Sequence, residues 1–178
     1  MADVSVRAAR ESDVAEIARI QVETWQFAYA AVLPAEALAD LTIEAAVQAW
    51  RPAVTGPPSP RHHVLVALDG QWTVGFTAFG PADDLQPDDV EPEGTVAIGP
   101  LIVEARWRRR GHGSRLMAAA IDHARQDGAT RALAWVPESD QGTNEFLLGA
   151  GWAADGLVRA LDTGADELRE QRLATNLT

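Results

Sequence analysis

The run Arg108-Arg109-Arg110-Gly111-His112-Gly113-Ser114 puts basic side chains and glycines into one short loop, a combination that builds anion sites. Gly111 and Gly113 have no β-carbon, so the backbone there can take unusual dihedrals and bring several N–H groups close to phosphate oxygens. An apolar, strand-like stretch, Ala97-Ile98-Gly99-Pro100-Leu101-Ile102-Val103, leads into the loop. Behind it Leu116, Met117, Ala120, Ile121 and Ala124 recur at helical spacing until Gly128 stops the helix. The loop therefore offers its amides at the positive end of a helix, which suits a phosphate-bearing ligand.

Other phosphate loops fit less well. The Walker loop needs a lysine, and all fifteen basic side chains of this chain are arginine. A dinucleotide fingerprint wants a small residue where Leu116 stands, and it belongs to the first strand of its fold, far upstream of this loop. A glycine-softened turn with solvated arginines is the bland alternative; the strand before the loop and the helix after it weigh against that.

Other side chains with chemical capacity are few. Tyr29 is the only tyrosine, and Trp25-x-x-x-Tyr29 sets two aromatic rings one helical turn apart. Trp25 reads as core, whereas Tyr29 has a hydroxyl to satisfy and could line a cleft. Asp83, Asp84, Asp88, Asp89, Glu91 and Glu93 crowd one Pro-rich segment, and no arginine lies between Arg61 and Arg106. If that segment borders a cleft, its charge favours a cationic ligand; otherwise it only solubilises. His62-His63 sits at a strand entrance and His112 within the glycine loop, without zinc-binding spacing, so no metal site is expected.

The elements that must position these groups alternate between types. Val4 to Ala9 reads as a strand, followed by a helix capped by Asp13 with Glu16 three residues on, whose Val14, Ile17, Ile20, Thr24 and Phe27 form one face. Pro34 opens a second helix through Leu38 and Leu41, and a third runs near Thr42 to Trp50. Thr55 to Pro60 is a stiff, exposed connection. Strands are predicted at His63 to Leu68 and Trp72 to Phe79, joined across Asp69-Gly70, then at Thr95 to Val103 and Arg131 to Val136. A short helix around Asn144 to Gly149 and strands within Trp152 to Ala160 and Glu167 to Thr175 close the chain. Within Thr95 to Val103, Pro100 lacks an N–H and Gly99 is flexible, so a bulge or a break in pairing is expected there.

Composition bounds the rest. A chain of 178 residues that is 47% hydrophobic can bury a full core, so residues 1–178 read as a single domain. With no cysteine, disulfides, zinc-thiolate sites and thiol nucleophiles are excluded. Asp3, Arg7, Arg10 and Glu11 interrupt the first residues, which do not resemble a signal peptide, and no apolar run could span a bilayer, so a cytoplasmic protein is the default. The formal net charge of −11 disfavours nucleic acid and anionic membranes as partners. A homodimer stays open.

Gly99-Pro100-Leu101-Ile102-Val103 followed by Arg108-x-x-Gly111-x-Gly113 resembles the acetyl-CoA motif of the GNAT superfamily of N-acetyltransferases, whose pattern is Gln or Arg, two residues, Gly, one residue, then Gly or Ala. The resemblance extends from Val6-Arg7-Ala8-Ala9 and Ser12-Asp13 to Phe146-Leu147-Leu148-Gly149-Ala150-Gly151-Trp152. It implies an α/β fold: a mixed, mostly antiparallel sheet of six or seven strands, flanked by helices, with the fourth and fifth strands splayed to admit the pantetheine arm. It also implies that Leu101, Ile102 and Val103 contact that arm, that a strand N–H polarises the thioester carbonyl, and that Arg108, Arg109, Arg110, Gly111, His112, Gly113 and Ser114 hold the pyrophosphate. Asp140 stands where the family often has a cofactor-contacting Asn.

The activity implied is direct transfer of acetyl from acetyl-CoA to a primary amine in a ternary complex. Many members carry a Glu at the start of the fourth strand as base and a Tyr after the fifth as acid. Here Ala97 and Leu147 stand at those places. Glu93, which precedes the fourth strand, and Glu138, which follows the fifth beside Ser139, are the replacement bases considered, and Tyr29 belongs to a segment resembling acceptor-side helices. A thiol leaving group with a pKa of about 8.5 can depart without an acid, and acid-base help is worth roughly a hundred- to ten-thousand-fold. A slow acetyltransferase is therefore the leading expectation, and a non-catalytic acyl-CoA-binding module that has lost its acid and base is the alternative.

Overall fold

Strands form where apolar residues fill both faces of a pleated segment, and helices form where they fill one stripe. In a computed structural model that describes residues 4–30, 33–87, 89, 92–164 and 167–177, this yields the strands Val4–Ala8 (β1), His63–Asp69 (β2), Trp72–Pro81 (β3), Thr95–Val103 (β4), Arg131–Pro137 (β5), Ala153–Asp162 (β6) and Glu167–Asn176 (β7). The helices are Val14–Ala28 (α1), Ala35–Asp40 (α2), Ile43–Thr55 (α3), His112–Gln126 (α4) and Gln141–Gly149 (α5). The strands make one seven-stranded sheet in the order β1-β2-β3-β4-β5-β7-β6. Every pairing is antiparallel except β4 with β5.

Two cores lie on opposite faces of this sheet. Leu65, Ala67, Ile98, Ala132 and Ala134 pack under Leu116, Met117 and Ala120 of α4. Val66, Phe76 and Ile102 pack under Ile17 and Ile20 of α1, with Trp50 and Val54 of α3 beside them. Trp50 also donates from Nε1 to Gln21 Oε1 at 2.7 Å, tying α3 to α1. No helix among the described residues is long and apolar enough to cross a membrane.

The expected irregularity in β4 is a bulge. Thr77 faces Leu101 and Phe79 faces Ile98, so Gly99 and Pro100 together stand opposite Ala78. Beyond it, β4 pairs with β5 only from Thr95, Val96 and Ala97 to Arg131, Ala132 and Leu133. The strands then part, which leaves the far edge of β4 open.

Several sequence-level expectations are corrected. Phe27 is 88% exposed. Trp25 and Tyr29 take the inward side of the last turns of α1, and a residue two positions from each lies roughly 200° around the helix. The buried face of α1 is Val14, Ile17, Ala18, Ile20 and Val22. Asp13 does not cap α1 with its side chain; its carboxylate turns back to accept from Arg10 N at 2.7 Å and from the Arg7 guanidinium at 2.6 and 3.0 Å. Burial opposes ionisation of Asp13, but these donors outweigh it and hold the carboxyl below the usual range. Glu16 is paired with Arg19 instead of closing a capping box. The third helix starts where Thr42 Oγ1 accepts from Ala45 N, but it runs past Trp50 to Thr55, because Pro52 lies on the exposed side, where the carbonyl it leaves unpaired meets water.

Candidate active site

Where β4 and β5 separate, a cavity of about 470 Å³ opens, and its walls come from both faces of the sheet. Met117, Phe146 and Leu147 of α4 and α5 line one side, while Trp25 of α1 and Tyr29 just after it, with Trp135 of β5, line the other. The open edge of β4 from Gly99 to Ile102 lies between them. A cleft that passes through a sheet lets two molecules meet end to end from opposite faces.

No residue of the glycine loop from Arg108 to Ser114 lines this cavity; the loop adjoins it at Gly113, which lies next to the lining residues Leu101 and Phe146. Arg109 has φ 61° and Gly111 has φ 82°, so left-handed residues at alternate positions turn successive amides outward. None of the amides from Arg109 to Ser114 donates a hydrogen bond among the described residues, and Arg115 N is the first to find a partner, Gly111 O at 3.1 Å. His112 is buried and Gly113 half-buried while the other four are exposed, and free amides at the start of a helix suit an anionic acceptor. Gly113 faces Leu101 and Val103 across the gap, where a β-carbon would lie 3.7 Å from Leu101 Cδ2 and 3.8 Å from Val103 Cγ2. Arg110 lies over the Trp107 ring at 4.9 Å, and Arg108 Nε donates to Val103 O at 3.2 Å. That carbonyl therefore faces away from β3, whereas Ile102 O is directed at Gly75 of β3.

His112 enters the site through its backbone alone. Its ring is fully buried edge-on to Trp107, with Nε2 3.4 Å from Asp69 Oδ2 but not aligned for a hydrogen bond. Burial lowers its pKa below the usual histidine value, the Arg115 and Arg110 charges add to this, and Asp69 opposes it. Asp140 lines the cavity, but its carboxylate caps α5, accepting from Thr143 N at 3.0 Å and Thr143 Oγ1 at 2.6 Å.

Of the candidate acids and bases, Tyr29 reaches the cavity. Burial raises its pKa first, and the charges of Glu170 and Asp140 raise it further, so its hydroxyl keeps its proton and can donate. Glu138 is turned to Arg169 Nε at 3.2 Å, and Glu93 lies in the 3-10 turn before β4, where its carbonyl accepts from Arg61. Neither lines the cavity. Leu147 lines the cavity as part of the buried core, and Ala97 stands at the start of its open edge.

The acidic segment before β4 is not free of arginine in space. Asp89 is bound by Arg172 through both guanidinium nitrogens and by Arg131 at 3.2 Å, and Asp155 accepts from Arg172 at 2.7 Å. The Arg172 bonds hold the Asp89 carboxyl far below the usual range. Asp84 accepts from Trp135 Nε1 at 2.5 Å and from Arg159 at 3.2 Å. Asp88 and Glu91 lie outside the described residues. Glu170, which no motif marked, lines the cavity from β7 opposite Pro137, nearly buried and bound to Arg159 Nε at 2.6 Å. Its only signal in the sequence is its parity on β7, which requires knowing that β7 inserts beside β5.

A model of the acetyltransferase (GNAT) family matches residues 15–151. The chain belongs to that family. Within it, the chain is 27% identical over 139 residues to the uncharacterized N-acetyltransferase YuaI of Bacillus subtilis, covering 77% of this chain and 73% of that protein. It is 39% identical over 75 residues to the mycothiol acetyltransferase of Rhodococcus erythropolis, a match spanning 42% of this chain but 21% of that protein. Among solved structures, the PaiA N-acetyltransferase of Thermoplasma acidophilum in complex with coenzyme A superposes with a TM-score of 0.76 at 12% identity, covering 98% of this chain and 99% of that one. The yncA protein of Salmonella typhimurium with its cofactor acetyl-CoA gives 0.73 at 18% identity, covering 99% and 95%. The seven-stranded mixed sheet of this GNAT chain, opened between β4 and β5, is the fold of those proteins.

Proposed function

We propose that the chain transfers the acetyl group of acetyl-CoA to a primary amine that is cationic in solution, by direct attack while both substrates are bound. The observation that carries this reading is the cavity between β4 and β5, which aromatic and acidic side chains line and which the unpartnered amides of the glycine loop adjoin at Gly113. Diphosphate suits the Arg109 to Ser114 amides, and the pantetheine arm suits the open edge of β4 at Leu101 and Val103. An oxyanion formed at the thioester would take its hydrogen bond from that same edge.

The cavity lining supports the acceptor class. Asp83, Asp84, Asp140 and Glu170 line the cavity against the single guanidinium of Arg159, and Trp25, Tyr29 and Trp135 give faces on which a cation can rest. Tyr29, which lines the cavity and keeps its proton, is the donor this reading assigns to the departing thiolate. Ala97 and Leu147 favour a binding module as the second reading, because they leave apolar carbon where an acid and a base would act.

Thiol release from acetyl-CoA across polyamines, amino acids, aminoglycosides and peptides separates the two. Turnover with cationic amines is expected. Tight acetyl-CoA binding without turnover on any amine would transfer the conclusion to the binding module.

A further inference from the structure

On the α1 and α3 face of the sheet a second cavity, of about 340 Å³, adjoins the first and shares Pro81, Asp83, Ala97 and Gly99 with it. His62 lies in this second cavity, half-buried. Its ring covers Gly80: a β-carbon there would come within 2.6 Å of His62 Cδ2 and 3.1 Å of His62 Nε2. Gly80 pairs directly with Ala97 on β4. Two small residues side by side thus clear the space through which the imidazole edge approaches the place where β4 begins to part from β5.

The ring is also fixed. Nδ1 is 2.8 Å from Ser59 Oγ, and Ser59 Oγ in turn accepts from Arg61 N at 3.2 Å. Nε2 has no partner among the described residues. In the tautomer that donates Nδ1–H to Ser59 Oγ, His62 presents the lone pair of Nε2, the arrangement of a general base. The titratable and charged groups around it are Asp83 on the same wall, His63 at the rim and the adjacent Arg61, whose guanidinium is turned to Glu93 O; α3 contributes Trp50 and Ala53, which carry no charge.

We propose that His62 Nε2 is the base that deprotonates the acceptor ammonium, directly or through one water, resting on the acetyl-transfer reading above. The ammonium gives one proton to Nε2, and the freed amine lone pair forms the N–C bond at the thioester carbonyl. Collapse of the tetrahedral adduct breaks the C–S bond, Tyr29 gives its proton to the thiolate, and the second nitrogen proton restores the Tyr29 hydroxyl. The products are the N-acetyl amide, the free thiol and one proton, which His62 releases to solvent. Gly80 and Ala97 position this step by remaining small.

The test is kcat/KM against pH for the wild type, His62→Gln, and His62→Gln combined with Ala97→Glu, with acetyl-CoA affinity measured for each. His62→Gln should lose about a hundred- to ten-thousand-fold near neutral pH and keep its acetyl-CoA affinity. Its rate should recover only as pH approaches the pKa of the amine. Ala97→Glu, whose carboxylate would enter the same cleared space, should restore activity in the double variant. A loss that is uniform with pH and not restored by Ala97→Glu would make His62 structural, and an unchanged pH profile would overturn the proposal outright. Absence of wild-type turnover with any amine would instead remove the acetyl-transfer reading, and this proposal with it.

Discussion

Gly113 lies between the start of α4 and the open edge of β4. A methyl group fits there at ordinary van der Waals distance from Leu101, Val103 and Phe146, but a longer side chain would fill the gap. Gly113→Ala should therefore keep acetyl-CoA affinity in calorimetry, and Gly113→Leu should abolish it with the far-UV circular dichroism spectrum unchanged. Equal affinity in both variants would move the ligand elsewhere. Tyr29→Phe removes a donor but no volume. Because a thiolate with a pKa of about 8.5 can leave unaided, the expected loss is in kcat alone and below about a hundred-fold, with acetyl-CoA affinity intact. At this scale the sequence was informative about the backbone. Gly111 announced the loop because its φ of 82° favours glycine, whereas Gly113 is helical and matters for the space it leaves beside Leu101 and Val103. Glu170 and His62 stayed hidden because their roles depend on which strand lies beside theirs, and Glu138 misled because its neighbour Arg169 arrives from another strand.

The elements around the cavity owe their placement to ion pairs that link distant parts of the chain. Among the described residues between β3 and β4, Asp84 reaches Trp135 of β5 and Arg159 of β6, and Asp89 reaches Arg131 of β5 and Arg172 of β7. Arg172 is 2% exposed, so removing its partner leaves a buried charge incompletely matched. Asp89→Asn should lower unfolding free energy in denaturant by about 3 kcal/mol, the low end for a broken buried pair, since Asp155 still holds Arg172. It should also raise the Michaelis constant for the amine, because Asp84 on the same segment lines the cavity; an unchanged constant would mean the segment does not border the acceptor. Strand and helix positions were legible from periodicity, and the β4 bulge from Gly99-Pro100. The arginine partners of the acidic segment were not, because Arg131, Arg159 and Arg172 stand far from it in sequence and only sheet order brings them close.

Seen as a whole, the sheet is two antiparallel pieces, β1 to β4 and β5 to β7, joined by the short parallel pairing of Thr95–Ala97 with Arg131–Leu133. Acid should loosen it in two stages. His112 has a lowered native pKa, so its contribution is complete above about 6.5 and fades as pH falls through the native value. Asp13 and Asp89 are also lowered; their contribution is complete above about 3.9 and fades below it as they protonate. Unfolding midpoints measured from pH 7 to 3 should decline gently at first and steeply at the end, and Asp89→Asn should flatten the steep part. A ligand lying in the split acts in the opposite direction, because it touches both pieces where they touch each other least. Acetyl-CoA at a hundred times its dissociation constant should stabilise the fold by about 2.7 kcal/mol, which for a chain of this size raises the melting temperature by roughly 5–11 °C. Hydrogen exchange should then slow on both banks, at the start of α4 and along β5 beyond Leu133. Protection confined to the loop and α4 would mean that the ligand binds the first piece without entering the split.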